Sequence, residues 1–360
     1  MTVEIGMPVY RPSGRLEAVL TALALQTYKD FFVTIYNNTD VSDIEEIKKD
    51  EQIIKSISEK YGIKINLIQN PKNLGYMKNM HQIFEKATGD FLFLLADDDI
   101  VSNDWIELGM KAFEKPDVGC IARPYYWFTD NMKKAVRFEG KIRTEIQYVK
   151  ITNSTENAVM IHDCLMSAAQ LSGLGFRRAY LLGMPFEEDM FTAHVYPFLH
   201  IFSKHICAYM PKPTVAVSIN TSQCHTDIYD PSPMEQWLKI YDKILPLNEC
   251  EKINLELKKI RLTDFYGLAQ IKNYGTYKEL FYEIAVHIKN YKLNLLNPKF
   301  YLFAAGSIIL PRKFLIKMVD FYKNKILSKK LAKMDINYKD FPFDVVEPIW
   351  VYPTTNERKR

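Results

Sequence analysis

The first hundred residues alternate between two hydrophobic patterns. Val3–Tyr10 is a short, largely apolar run, and Leu16, Val19, Leu20, Leu23 and Leu25 then recur at helical spacing as far as Gln26. FFVTIY at 31–36 is a β-branched and aromatic run of strand length. Residues 43–61 read as a helix with Ile44, Ile47, Ile54 and Ile57 on one side, and 63–68 as a strand. A helix over 79–87 stops at Gly89, and FLFLLA at 91–96 is a continuous apolar run, as expected of a strand buried on both faces. The order β-α-β-α-β-α-β predicts an α/β fold with a mostly parallel sheet and helices on both faces. In such sheets ligands bind beyond the carboxyl ends of the strands, so the polar residues just after each strand are the candidates for chemistry.

Beyond residue 104 the pattern weakens. A helix over 105–115 and a strand near 120–122 are expected, 124–155 is mixed, and 158–205 reads as helix, loop and helix around Glu187-Glu188-Asp189. A strand-like piece at 213–219 follows, and from Met234 to about Leu331 the chain reads almost entirely as helix. These changes predict a domain over 1–225, a helical region over 226–335 and an extended tail over 336–360. No stretch has the roughly 18–20 apolar residues of a spanning helix. The start, MTVEIGMPVY, has no basic region before its apolar run and reads as a strand, not a secretory signal.

Composition narrows the function classes. With 48% hydrophobic and 25% charged residues the chain is an ordinary folded protein, and a net charge of +4 gives no sign of nucleic-acid binding by bulk charge. Five cysteines, none in a C-x-x-C pair, suggest neither a zinc site nor a dithiol redox site, and the odd number points to a reducing compartment.

Asp97, Asp98 and Asp99 follow the buried run directly. Three adjacent carboxylates repel one another unless water or a cation screens them. At the end of a buried strand this pattern suits Mg²⁺ or Mn²⁺, which takes one or two carboxylates plus substrate phosphates. The alternative is a solvated acidic turn that caps the helix beginning near Asn103.

VEIGMPVYRP, LALQTY, FVTIYNNTD, NPKNLGYMKNM and ATGDFLFLLADDDIVSNDWIE, in that order, resemble the nucleotide-sugar-binding half of the family 2 glycosyltransferases with the GT-A fold. The likeness is close over about residues 3–110, loose over 160–220 and absent beyond. It implies a GT-A domain followed by an α-helical region, and an inverting transfer from a nucleotide-diphospho-sugar. By this resemblance Asp98 falls at the metal-binding carboxylate and Asp97 at a ribose contact. Pro8, Val9 and Tyr10 match the segment that passes the nucleobase. Asn37 stands where the family has a base-contacting Asp, and Arg11 where it has Asn. Gly75 permits close approach of a ligand at a helix start, and Lys78 one turn on is placed to reach the diphosphate.

Inverting transfer also needs a general base. The resemblance puts it in Phe186-Glu187-Glu188-Asp189, with Asp189 the first choice and Glu188 the second; helix-favouring acids are the alternative. The Arg expected after this element is missing, and His194 or Val195 occupies the stretch. His225 follows the strand-like piece where some GT-A enzymes add a metal ligand, and His194 is a further candidate to face the site. Tyr125, Tyr126, Trp127 and Phe128 are either a sugar-stacking platform or a buried cluster.

After Pro311 the apolar set Phe314, Leu315, Met318, Val319, Tyr322 and Ile326 fits helical spacing, with Arg312, Lys313, Lys317, Lys323, Lys325, Lys329 and Lys330 supplying charge. Such a helix either lies on an anionic membrane or packs on the fold. Together these readings predict a cytoplasmic enzyme, at the inner face of the membrane if the helix binds there. Its expected work is bacterial surface-polysaccharide assembly on a saccharide or lipid-linked acceptor, with no nucleic-acid partner. The competing classes are a sugar nucleotidyltransferase and a non-catalytic carbohydrate-binding protein of the same fold. The segment GMPVYRPSG has nothing of the Gly-rich phosphate loop that the former usually has.

Overall fold

A computed structural model describes residues 1–12, 14–184, 194–219 and 232–352, with the side chains of 320, 323 and 324 left out. The described residues form two compact units. One draws on 1–150, 163–219 and 333–352, the other on 151–162 and 232–332.

The first unit starts as the hydrophobic pattern dictates. Strands β1 (Val3–Val9), β2 (Phe31–Asn37), β3 (Lys64–Gln69) and β4 (Phe91–Leu94) alternate with helices α1 (Leu16–Ala24), α2 (Ile44–Tyr61) and α3 (Tyr76–Lys86). Then come β5 (Asp99–Val101), helix α4 (Trp105–Phe113), β6 (Val118–Ala122), β7 (Tyr125–Phe128), β8 (Arg137–Glu139) and β9 (Gln147–Val149). The second half of helix α5 (Ala158–Ser167), β10 (Gly175–Arg177), helix α6 (Val195–Lys204), β11 (Ile206–Tyr209) and β12 (Val215–Ser218) complete it.

Among the described residues the main sheet has the order β3-β2-β1-β4-β10-β6-β11-β9. β1–β4, β6 and β11 run the same way, whereas β10 and β9 are antiparallel to their neighbours. A smaller sheet has the order β5-β12-β7-β8. The six co-directional strands bring the segments after β1, β2, β3, β4 and β6 to one edge, as expected of an open α/β sheet.

Two of the sequence motifs serve the framework. Glu4, buried in β1, accepts hydrogen bonds from the amides of Thr88 (2.6 Å) and Gly89 (2.9 Å), and so fixes the turn into β4. Gln26 is fully buried; its Nε2 donates to the Ser102 carbonyl (2.7 Å) and its Oε1 accepts from the Ile106 amide (3.1 Å). That clamps the end of α1 to the start of α4.

The expected tail is corrected, and the aromatic run at 125–128 proves to be the buried cluster of its two readings. Residues 338–349 are not an extended tail but short helical turns, with Phe341, Phe343, Val346 and Trp350 buried. Tyr338 and Phe341 pack edge-on against Tyr126, and Trp350 against Phe128. Tyr125, Tyr126 and Phe128 are therefore core, and Trp127 is half-buried beneath the Arg137 guanidinium at 4.2 Å. Apolar rings in sequence sought burial against other rings, not a ligand.

The second unit is helical, over Pro233–Ile244, Leu247–Leu262, Tyr266–Tyr274, Tyr277–Asn290, Pro298–Ile309 and Arg312–Phe321, followed by a π-helical turn at Tyr322–Leu327 and Ser328–Leu331. Residues 151–162, expected to lie within the first domain, cluster with these helices.

Candidate active site

The site is built where the carboxyl ends of β1, β2, β3 and β4 meet. Asp97 and Asp98 are half-buried just beyond β4. The backbone amide of Tyr10, one residue past β1, donates to Asp97 Oδ2 at 3.0 Å. Pro8 and Tyr10 are half-buried at the same edge, whereas the Val9 side chain is in the core. Arg11 adopts φ 46°, an uncommon left-handed conformation for a residue with a side chain. Its amide donates to Thr39 Oγ1 (3.0 Å) and its Nε to Asp43 Oδ2 (2.9 Å), so the segment that turns away from β1 is held at both ends.

The three aspartates have different tasks. Asp99 is buried and opens β5. Its Oδ2 accepts from Ser172 Oγ (2.6 Å) and Gln170 Nε2 (2.7 Å), and its Oδ1 from the Ser218 amide (3.1 Å). It therefore ties the β4–β5 turn to the loop before β10 and to β12. Burial and the charge on Asp98 still push its carboxyl up to about 7, against those hydrogen bonds. Asp97 is pushed up to about 8, first by burial and then by Asp98. Asp97 resists ionisation beside the charge of Asp98, so a cation that offsets both would be favoured here. The all-oxygen donor set fits Mg²⁺ or Mn²⁺ completed by substrate phosphates. Among the described residues no three His, Cys, Asp or Glu side chains converge into a protein-only cage.

Beneath Asp99 lies a residue that the sequence patterns did not single out. Arg123, one residue past β6, is fully buried. Its Nη1 donates to the Ser167 carbonyl (2.6 Å) and Oγ (2.9 Å), and its Nη2 to the carbonyls of Gln170 (2.9 Å) and Ser172. Burial lowers it to about 10, so it stays charged at neutral pH. The guanidinium organises the 167–172 loop that in turn holds Asp99. The next residue, Gly173, sits at φ +89°, and a Cβ there would come within 2.5 Å of Val215 and 2.7 Å of Arg123 Nε. Only glycine lets the backbone pass this close.

An asparagine network sets the opposite wall. Asn38 Nδ2 donates to Asn73 Oδ1 (2.7 Å), and Asn38 Oδ1 accepts from the Leu74 amide (2.8 Å) and Asn70 Nδ2 (3.2 Å). Asn70 also donates to Asn79 Oδ1 (2.9 Å), and Asn79 donates to the Tyr36 carbonyl (3.0 Å). These amides fasten the ends of β2 and β3 to the first turn of α3. Each Asn supplies both donors and an acceptor, which lets a buried chain of them satisfy itself.

Asn37, expected to meet the nucleobase, has another task. It is fully buried, donating to Asp50 Oδ2 (3.2 Å) and accepting from the Thr39 amide (2.9 Å). Burial raises its partner Asp50 to about 7. Gly75 and Lys78 are both exposed at the start of α3, with Gly75 at φ +79° directing its amide to Asn73 Oδ1 (2.8 Å). His194 is buried, its Nδ1 2.9 Å from the Tyr76 hydroxyl, and is pushed down to about 3 by burial and by Arg123. It braces α3 against the start of α6 as a neutral ring. Glu188, Asp189 and His225 lie outside the described residues.

No protein among the curated sequences matches the chain. Residues 4–168 match the family described as Glycosyl transferase family 2. Among solved structures, S. aureus TarS 1–349 in complex with UDP-GlcNAc is similar at 12% identity, with 93% of each chain covered and a TM-score of 0.58. Another structure of S. aureus TarS 1–349 matches over the same shares at a TM-score of 0.55, and the chain spans 56% of a longer S. aureus TarS structure at 11% identity and a TM-score of 0.53. At such identities the likeness speaks for the fold, which is GT-A. The family match spans the strands and turns that carry Tyr10, Asn73–Gly75 and Asp97–Asp98, so this part of the chain is similar to the family 2 glycosyltransferases.

Proposed function

We propose that the enzyme transfers its sugar with inversion, from a nucleotide-diphospho-sugar to a saccharide or lipid-linked saccharide, in the assembly of bacterial surface polysaccharide. The observation that carries this reading is the Asp97–Asp98 pair at the carboxyl end of β4, with Asp97 held by the Tyr10 amide. Tyr10 and Pro8 would flank the nucleoside, Asp97 the ribose, and the first turn of α3 with Lys78 the diphosphate. A divalent cation, Mn²⁺ or Mg²⁺, held by Asp98 and His225 would neutralise charge on the leaving diphosphate. Asp189, with Glu188 as its neighbour in the same role, takes the proton from the acceptor hydroxyl. That oxygen bonds to the anomeric carbon as the carbon–phosphate-oxygen bond breaks, and the nucleoside diphosphate departs.

Thermal unfolding in the presence of Mn²⁺ and uridine, guanosine or thymidine diphospho-sugars tests the donor assignment. One nucleotide class should raise the melting temperature by on the order of 5 °C at saturating concentration, because ligand binds only the folded state. No rise with any of them, or sugar nucleotide formed from a triphosphate, would argue for another chemistry. Asp189→Asn keeps shape and loses basicity, so turnover should fall by about 10²-fold or more at unchanged donor affinity. A fully active Asp189→Asn beside an inactive Glu188→Gln would move the base by one residue.

A further inference from the structure

The helix Pro298–Ile309 is apolar nearly all the way round, a pattern usually found only where a helix is enclosed. Its inner face, Phe300 and Ala304, joins Phe265, Leu268, Ile271 and Leu280 in the core of the helical unit. Its outer face is equally apolar but open, with Tyr301, Leu302 and Ile309 exposed, the last two at 71% and 76% and nearly in line along the helix. The next helix, Arg312–Phe321, buries only Leu315 among its described side chains. Phe314, Met318 and Phe321, at i, i+4 and i+7, form a second exposed apolar stripe, flanked by Lys313 and Lys317. Both helices pack on Tyr266–Tyr274.

Charge is concentrated in the same place. Residues 292–332 hold nine Lys or Arg against one acid, Asp320, which leaves the rest of the chain with 38 basic and 42 acidic residues. The positive surplus of the whole protein therefore lies within this segment. Among the described residues no helix is long and apolar enough to cross a membrane.

We propose that this face of the helical unit docks on an anionic lipid surface. Tyr301, Leu302, Ile309, Phe314 and Phe321 would enter the headgroup layer while the surrounding lysines meet lipid phosphates. Apolar area alone would fit a second copy of the chain equally well. A two-fold contact, however, would set this cationic segment against itself, whereas an anionic bilayer complements it. The inference is independent of the donor chemistry, since it rests on residues of the helical unit alone.

Co-sedimentation with vesicles of phosphatidylcholine, and of phosphatidylcholine with one third phosphatidylglycerol, tests it. The wild-type chain should bind the anionic vesicles at low salt, ignore the neutral ones, and be largely released at high salt. Combined Lys313→Glu, Lys317→Glu and Lys325→Glu should weaken binding at least about tenfold. Combined Leu302→Ser, Ile309→Ser and Phe314→Ser should do the same with the charge intact. All six side chains are exposed, and thermal unfolding of both variants should match that of the parent. Equal binding to both vesicles, or to neither, would overturn the proposal. So would self-association at micromolar concentration that the serine variant abolishes while vesicles are ignored, which would give the face to a second copy. Neither result touches the transfer reaction, whose donor binding is read separately.

Discussion

Asp98→Ala should lose the metal-dependent part of donor binding entirely while unfolding at the same denaturant concentration as the parent. The argument is one of division of labour within the acidic triplet. Asp99 is committed to Ser172, Gln170 and the Ser218 amide, and Asp97 receives the Tyr10 amide. Asp98 is half-buried at the edge between them, and its charge is the main electrostatic cause of the raised pKa of both neighbours. Removing it relieves its repulsion with both neighbours, which should offset the contacts its carboxylate gives up. In the loaded protein the same change takes away a cation ligand. The check is calorimetric titration of donor with Mn²⁺ and with chelator. A variant whose donor affinity still responds to Mn²⁺ as the parent's does would remove Asp98 from the metal site.

Arg123→Ala should cost about 3 kcal/mol or more of unfolding free energy, because it leaves several buried carbonyls without their donor at roughly 1–3 kcal/mol each. The side chain is fully buried and is the donor to the carbonyls of Ser167, Gln170 and Ser172. Without it those carbonyls face a cavity, and Asp99 loses the cation closest to the loop that holds it. Arg123→Lys should recover only part of the loss, because one ammonium cannot reach carbonyls that a planar fork spans. Urea unfolding reads this as a lowered midpoint with an unchanged slope. A loss below about 1 kcal/mol for Arg123→Ala would mean that the loop is held by other contacts.

The two variants also separate what could be read locally from what could not. The Asp97–Asp99 triplet was legible because it interrupts a buried apolar strand with adjacent charges, a local contrast that needs an explanation. The start of α3 was legible through Gly75, which breaks the pattern at a helix boundary. Arg123 carried no such contrast: an arginine followed by proline after a short strand reads as surface, and only the arrival of Ser167, Gln170 and Ser172 around it makes it core. The asparagine network was hidden for the same reason. Asn37, Asn38, Asn70, Asn73 and Asn79 each look like turn residues, and their pairing spans separations of up to 35 positions. Hence Asn37 suggested a ligand contact although its amide is spent inside the fold.

By itself the sequence determined the alternation of elements from β1 to β4, because hydrophobic periodicity of two and of 3.6 is a property of neighbouring residues. It also determined that the acids after β4 lie at the carboxyl edge of the sheet, since co-directional strands must end together. Tertiary structure alone decided that Gly175–Arg177, three residues with no strand pattern of their own, insert as an antiparallel strand between β4 and β6. It alone decided that the last described residues fold back, so that Tyr338, Phe341 and Trp350 bury Tyr126 and Phe128. The physical reason is the same in both cases. A three-residue strand and an aromatic side chain gain their stability from partners distant in sequence, and no local pattern records which partner will come.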